Sequence, residues 1–88
     1  MVLIVDARAF VSKQDMHAAL RAVLGGENYA GNNLDALHDC LTSICEPTAL
    51  RIVNWSYAVK GLGGFANVLW RVLFDSSEEN PNLTVTIE

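Results

Sequence analysis

The run Val2-Leu3-Ile4-Val5 is apolar at every position and rich in β-branched residues. A strand with no alternation is what a sheet covered on both faces demands, so this one is expected as an internal strand of a parallel sheet. A second strand is expected over Ala49 to Val53. A third closes the chain, where Leu83, Val85 and Ile87 alternate with Thr84, Thr86 and Glu88 and give one buried face. The intervals between the strands are long enough for helical crossovers, which parallel neighbours require.

Those intervals carry helical periodicity. Ser12-Lys13-Gln14-Asp15 fits a capping box, and Met16, Leu20, Val23 and Leu24 follow at helical spacing until Gly25-Gly26, so a first helix is expected from about Lys13 to Leu24. Asn33 is a good N-cap for a second, from about Leu34 to Ser43. Trp55 to Leu62 reads as a short third helix. In the fourth, Phe65, Val68, Leu69, Val72 and Leu73 form the apolar stripe and Asn80-Pro81 ends it. The order strand, helix, helix, strand, helix, helix, strand predicts an α/β fold: a three-stranded, mainly parallel sheet packed with about four helices. Gly61-Leu62-Gly63-Gly64 has neither dinucleotide-loop nor P-loop spacing, and its glycines are expected to permit the turn into the fourth helix. Trp70 falls off the apolar stripe and is expected to cover a loop rather than to make a dimer contact.

Eighty-eight residues, 51% hydrophobic and 18% charged, suit one globular domain over 1–88. No apolar run approaches the roughly 20 residues that span a bilayer. The start has no basic leader or cleavage site, which favours the cytoplasm. Cys40 and Cys45 match neither a redox pair nor a zinc knuckle, and on one helix they point about 140° apart; both are expected as free, small buried hydrophobes in a reducing compartment.

Net charge is −4, which disfavours nucleic acid or an anionic membrane as partner. Between Arg21 and Arg51 there is no Lys or Arg, whereas Glu27, Asp35, Asp39 and Glu46 all fall there. On a helical wheel Leu34, Leu37, Leu41 and Ile44 make the core face of the second helix, with Cys40 at its edge. Asp35, Asp39 and Thr42 lie within about 60° of one another on the opposite side, flanked by His38 and Ser43. Like charges at i and i+4 cost a helix a few tenths of a kcal/mol, so stability gives little reason for Asp39. The plain alternative is a solvated polar face. A further one is a metal-dependent enzyme, since Asp35, His38 and Asp39 could offer a divalent ion two oxygens and a nitrogen. That reading lacks a further ligand cluster, because His17 falls mid-helix and reads as a polar surface residue.

The segment Tyr29-Ala30-Gly31-Asn32-Asn33-Leu34-Asp35-Ala36-Leu37-His38-Asp39-Cys40-Leu41-Thr42 resembles the barstar family, intracellular inhibitors of barnase-type ribonucleases. The likeness extends more loosely over nearly the whole chain, through Asp15, His17, Trp55 and the closing Leu-Thr-Val-Thr-Ile. The resemblance implies that the helix and its preceding loop plug a basic active site. Asp39 then takes the place of a substrate phosphate, and Asp35 pairs with an adjacent cation or backbone donors. Tyr29 stacks near the catalytic histidine, and Gly31 lets the backbone come close. Asn33, His38 and Thr42 complete the patch, with Asp75 as an outlying acidic contact by register from the last strand.

Departures from the family pattern bear on the partner. His38 stands for a tryptophan, Ile44 for a second aromatic, and Ala30 and Asn32 for a tyrosine and a glutamate. The aromatic rim is thinner, and His38 makes binding pH-sensitive if it meets the enzyme. The expected protein is therefore a monomeric ribonuclease inhibitor, not an enzyme, needing no metal or cofactor and acting in a one-to-one complex. The alternative is an immunity protein against a nuclease toxin of interbacterial competition.

Overall fold

The computed structural model describes residues 1–25, Tyr29 and 33–88. Gly31, expected in the binding loop, lies outside them, as do Glu27, Ala30 and Asn32. The described elements are β1 (Val2–Asp6), a 3-10 turn (Ala7–Ala9), α1 (Lys13–Leu24), α2 (Leu34–Thr42), β2 (Thr48–Val53), α3 (Trp55–Leu62), α4 (Phe65–Glu79) and β3 (Leu83–Ile87). The sheet is parallel throughout, in the order β1-β2-β3.

β1 is therefore an edge strand, not the internal one expected. Register places Leu3, Leu50 and Val85 in one row and Val5, Ile52 and Ile87 in the next. These rows join the same core as Met16 and Leu20 of α1, Leu37 and Leu41 of α2, and Leu69 and Leu73 of α4. The opposite face stays open: Val2 is 60% and Ile4 54% exposed, with Thr84 and Thr86 exposed beside them. A run without alternation is compatible with two covered faces but does not require them.

Local signals explain the element ends. The Ser12 side chain accepts the Asp15 N–H at 3.1 Å and starts α1, while Gly25, at φ 95°, ends it in a conformation that a Cβ would oppose. Asp6 begins the unanticipated 3-10 turn by accepting the Arg8 N–H at 3.0 Å. The Asn54 amide donates to the same carboxylate at 3.0 Å, and Asn54 takes the left-handed turn (φ 59°) between β2 and α3. The Arg8 guanidinium and these donors hold the Asp6 carboxyl well below the usual carboxylate range.

Two glycines of the 61–64 run do different work. Gly63, at φ 58°, makes the turn into α4 as expected. Gly61 lies inside α3, where a Cβ would overlap the Phe10 carbonyl oxygen and stand 3.2 Å from Val11 Cα. It is thus a point of close backbone approach between α3 and the segment after the 3-10 turn.

Cys40 is buried and free, and burial pushes its thiol up; Cys45 is also free but exposed, contrary to expectation, because the chain has left α2 by then. Trp70 is 46% exposed, and its ring meets Phe74 one turn on at 4.5 Å between centroids. Among the described residues no helix is long and apolar enough to cross a membrane.

Candidate partner-binding site

α2 is held at both ends by asparagine side chains. Asn33 Oδ1 accepts the Ala36 N–H at 2.8 Å, satisfying one of the donors that a helix start leaves open. At the other end Asn80, buried in the turn between α4 and β3, donates from Nδ2 to the Leu41 carbonyl at 2.9 Å and to the Ile44 carbonyl at 3.0 Å. Its Oδ1 accepts the Asn82 N–H at 3.0 Å. Asn80 therefore does more than stop a helix. Asn80→Ala would leave the Leu41 carbonyl without this donor, and we expect a loss of about 1–3 kcal/mol in stability, measured by urea unfolding.

Leu37, Cys40 and Leu41 bury the inner face of α2. The outer face carries Asp35 and Asp39, both exposed. Neither carboxylate has a hydrogen-bond or ion-pair partner among the described residues. Asp35 sits in the first turn, where the helix dipole favours an anion. Thr42 lies on the same side, half-buried, but its hydroxyl is turned inward and donates to the His38 carbonyl at 2.8 Å.

α4 brings more negative charge. Asp35, His38, Asp75, Glu78 and Glu79 line one open groove between α2 and α4, floored by Leu34 and Val72. This places Asp75 in one groove with Asp35 and His38. His38 Nε2 lies 2.7 Å from Glu79 Oε2, an ion pair when the imidazole is protonated. Glu79 is not legible as a neighbour of His38 in the sequence, since only the packing of α4 on α2 brings the two together. The imidazole is thus turned toward α4 rather than toward Asp35 and Asp39. Among the described residues no group of three or more His, Cys, Asp or Glu is arranged to hold a metal ion. On the far flank of Asp35 a second cleft includes Lys13, Asn33 and Phe65, with Lys13 Nζ 4.4 Å above the Phe65 ring.

Tyr29 and His17 depart most from expectation. Tyr29 is fully buried rather than part of an exposed rim, so its ring offers no face to a partner in this structure. Its hydroxyl is hydrogen-bonded to His17 Nδ1, and the two rings meet edge to face at 5.7 Å. His17 is accordingly buried, not a polar surface residue; a hydroxyl partner satisfies the ring nitrogen inside the core. Burial raises the Tyr29 pKa to about 12, partly offset by Arg21. Burial, then the Arg21 charge, lowers the His17 pKa from its ordinary 6.5.

On acidification the unfolded chain therefore takes up a proton at this histidine before the folded one does. Stability is level above pH 6.5 for this group and falls as pH drops below it, down to the folded-state value. We expect His17→Gln to flatten that part of the stability–pH curve, read from urea midpoints between pH 7.5 and 5.

Residues 1–87 match the family described as Barstar (barnase inhibitor). A relative from Bacillus subtilis (strain 168), named "Putative ribonuclease inhibitor YrdF", is 35% identical over 78 residues, which cover 88% of this chain and 86% of the relative.

Proposed function

The chain belongs to the barstar family, and on that premise we propose that it inhibits a basic ribonuclease by seating the outer face of α2 over the enzyme's active site. The observation that carries this reading is the pair of exposed carboxylates, Asp35 and Asp39, without partners among the described residues and one turn apart on a helix anchored from behind by Leu37, Cys40 and Leu41. Unpartnered charges on a rigid element suit an interface, since side chains already fixed on one scaffold lose little freedom on binding. A ribonuclease must gather cations around a phosphate, and a carboxylate can occupy that place.

In this reading Asp39 faces the phosphate-binding cations and Asp35 an adjacent cation or backbone donors. Asn33 and Thr42 flank them by contact through their backbone and outer surfaces. Asp75 extends the acid across the groove, and Gly31 lets the loop backbone approach. His38, paired with Glu79, stands at the edge of the patch, where a partner's cation would compete for Glu79 and make affinity pH-dependent. Tyr29 supports the loop from within. The complex is one-to-one, without metal or cofactor.

The test is titration of purified protein against a guanyl-specific barnase-type ribonuclease and against nuclease toxins of interbacterial competition. Stoichiometric inhibition of one of them supports the reading, and the responsive nuclease separates self-protection from immunity. Inhibition of none would refute it. Association should also slow by about tenfold or more between 0.05 and 0.5 M salt, since steering by opposite charge is screened; a rate indifferent to salt would contradict an electrostatic encounter.

A further inference from the structure

Tyr29 lies between Gly25, which ends α1, and Asn33, which caps α2. It is held by α1 in three ways. The hydroxyl bonds His17 Nδ1, the carbonyl accepts Arg21 Nε at 2.9 Å, and the Arg21 guanidinium lies 5.1 Å from the centre of the ring. His17 and Arg21 are four residues apart and so share one face of their helix. Tyr29 is therefore gripped at its tip, its ring and its backbone, and the ring is fully buried. Four residues later Asn33 is fixed in turn, its side chain and carbonyl accepting the Ala36 and Leu37 N–H groups at 2.8 and 3.3 Å.

We propose that His17 and Arg21 are positioning residues for the inhibitory surface: they clasp Tyr29 and so fix, before any partner arrives, the residue four positions ahead of the α2 cap. The clasp touches no partner itself. It rests on the inhibitor reading for its purpose, and on its own geometry for its existence. Residues such as Tyr29 and Asn33 that are already fixed in the free protein lose little freedom on association, and affinity gains accordingly. His17 alone would be an ordinary core histidine. Arg21 is what distinguishes the arrangement, because a core residue needs neither a stacked guanidinium nor a side-chain donor to its carbonyl.

Two variants test this. Tyr29→Phe keeps the ring and removes the hydroxyl, and His17→Gln removes the imidazole. Val85→Ala, in β3 and outside the clasp, serves as a control that lowers global stability. Amide hydrogen exchange is followed in the free protein, and inhibition is titrated against the nuclease that the unaltered protein inhibits. In both clasp variants exchange at position 29 and at Ala36 and Leu37 should quicken about tenfold relative to the β2 amides, with inhibition weakened by a similar factor. Val85→Ala should raise exchange throughout and leave inhibition by the folded protein unchanged. Unaltered exchange at Ala36 and Leu37, or inhibition weakened no more than in Val85→Ala, overturns the proposal. If the unaltered protein inhibits no nuclease, the inhibitor reading fails, and the exchange result still decides whether the clasp holds α2.

Discussion

Asp39→Ala is expected to weaken inhibition by about 2–5 kcal/mol, on the order of 30- to 5,000-fold, while leaving the fold as stable as before or slightly more so. The two halves of that expectation come from different observations. Asp39 is exposed and its carboxylate bonds nothing among the described residues, so its removal breaks no hydrogen bond or ion pair among them. Its removal also relieves repulsion from Asp35 one turn away, worth a few tenths of a kcal/mol. The affinity loss has another origin: cations gathered to hold a phosphate are left buried under α2 without a counter-charge. Asp35→Ala should differ in kind, losing affinity together with about 0.3–1 kcal/mol of stability, because an anion in the first turn interacts with the helix dipole. Inhibition titrations and urea unfolding of both variants separate the cases. A loss below about 0.5 kcal/mol in affinity for Asp39→Ala removes that residue from the role assigned to it.

Gly61→Ala is expected to destabilise the protein by about 1–3 kcal/mol or more, although alanine is the better helix former. In open space the exchange favours alanine by about 1 kcal/mol. At Gly61 the added methyl meets the Phe10 carbonyl oxygen, with Phe10 C at 3.0 Å and Val11 Cα at 3.2 Å. All three are backbone, so no flexible side chain can swing aside, and α3 must move from the segment it packs on. Gly64 provides the contrast: its φ of −60° suits any residue, and nothing lies within 4 Å of its missing Cβ. Gly64→Ala should be neutral or stabilising by up to about 1 kcal/mol. Thermal or urea unfolding of the pair settles the point, and equal effects at the two positions would contradict the close approach described for Gly61. Neither glycine belongs to α2, so the folded fraction of each variant should inhibit normally.

The elements are readable because their signals are local. The Ser12 and Asn33 caps, the Gly25 stop and the alternation of Leu83, Val85 and Ile87 each act within a few residues, and each appears where the residues put it. Strand order is not local. Val2 to Val5 could serve in a central or an edge strand, and only the placement of β2 between the other two decides it. For the site, the spacing of Asp35 and Asp39 shows a shared helix face, but the nearness of Glu79 to His38 depends on how α4 lies against α2. The burial of His17 does have a sequence signal: it stands three residues before Leu20 and seven before Leu24, on the margin of the apolar stripe. A polar type at an apolar position, with a tyrosine nearby, is a reason to look for a buried partner.

The hold that Asn80 has on the end of α2 gives the protein an order of assembly. Asp35 and Asp39 are translated well before Asn80, whose amide donates to the Leu41 and Ile44 carbonyls. A nascent chain that has reached only α3 contains every acidic residue of α2 but lacks the amide that ties that helix down. On the inhibitor reading, the capacity to inhibit is acquired only after Asn80 has emerged, and truncation before Asn80 should abolish it in an inhibition titration even though Asp35 and Asp39 remain in the sequence.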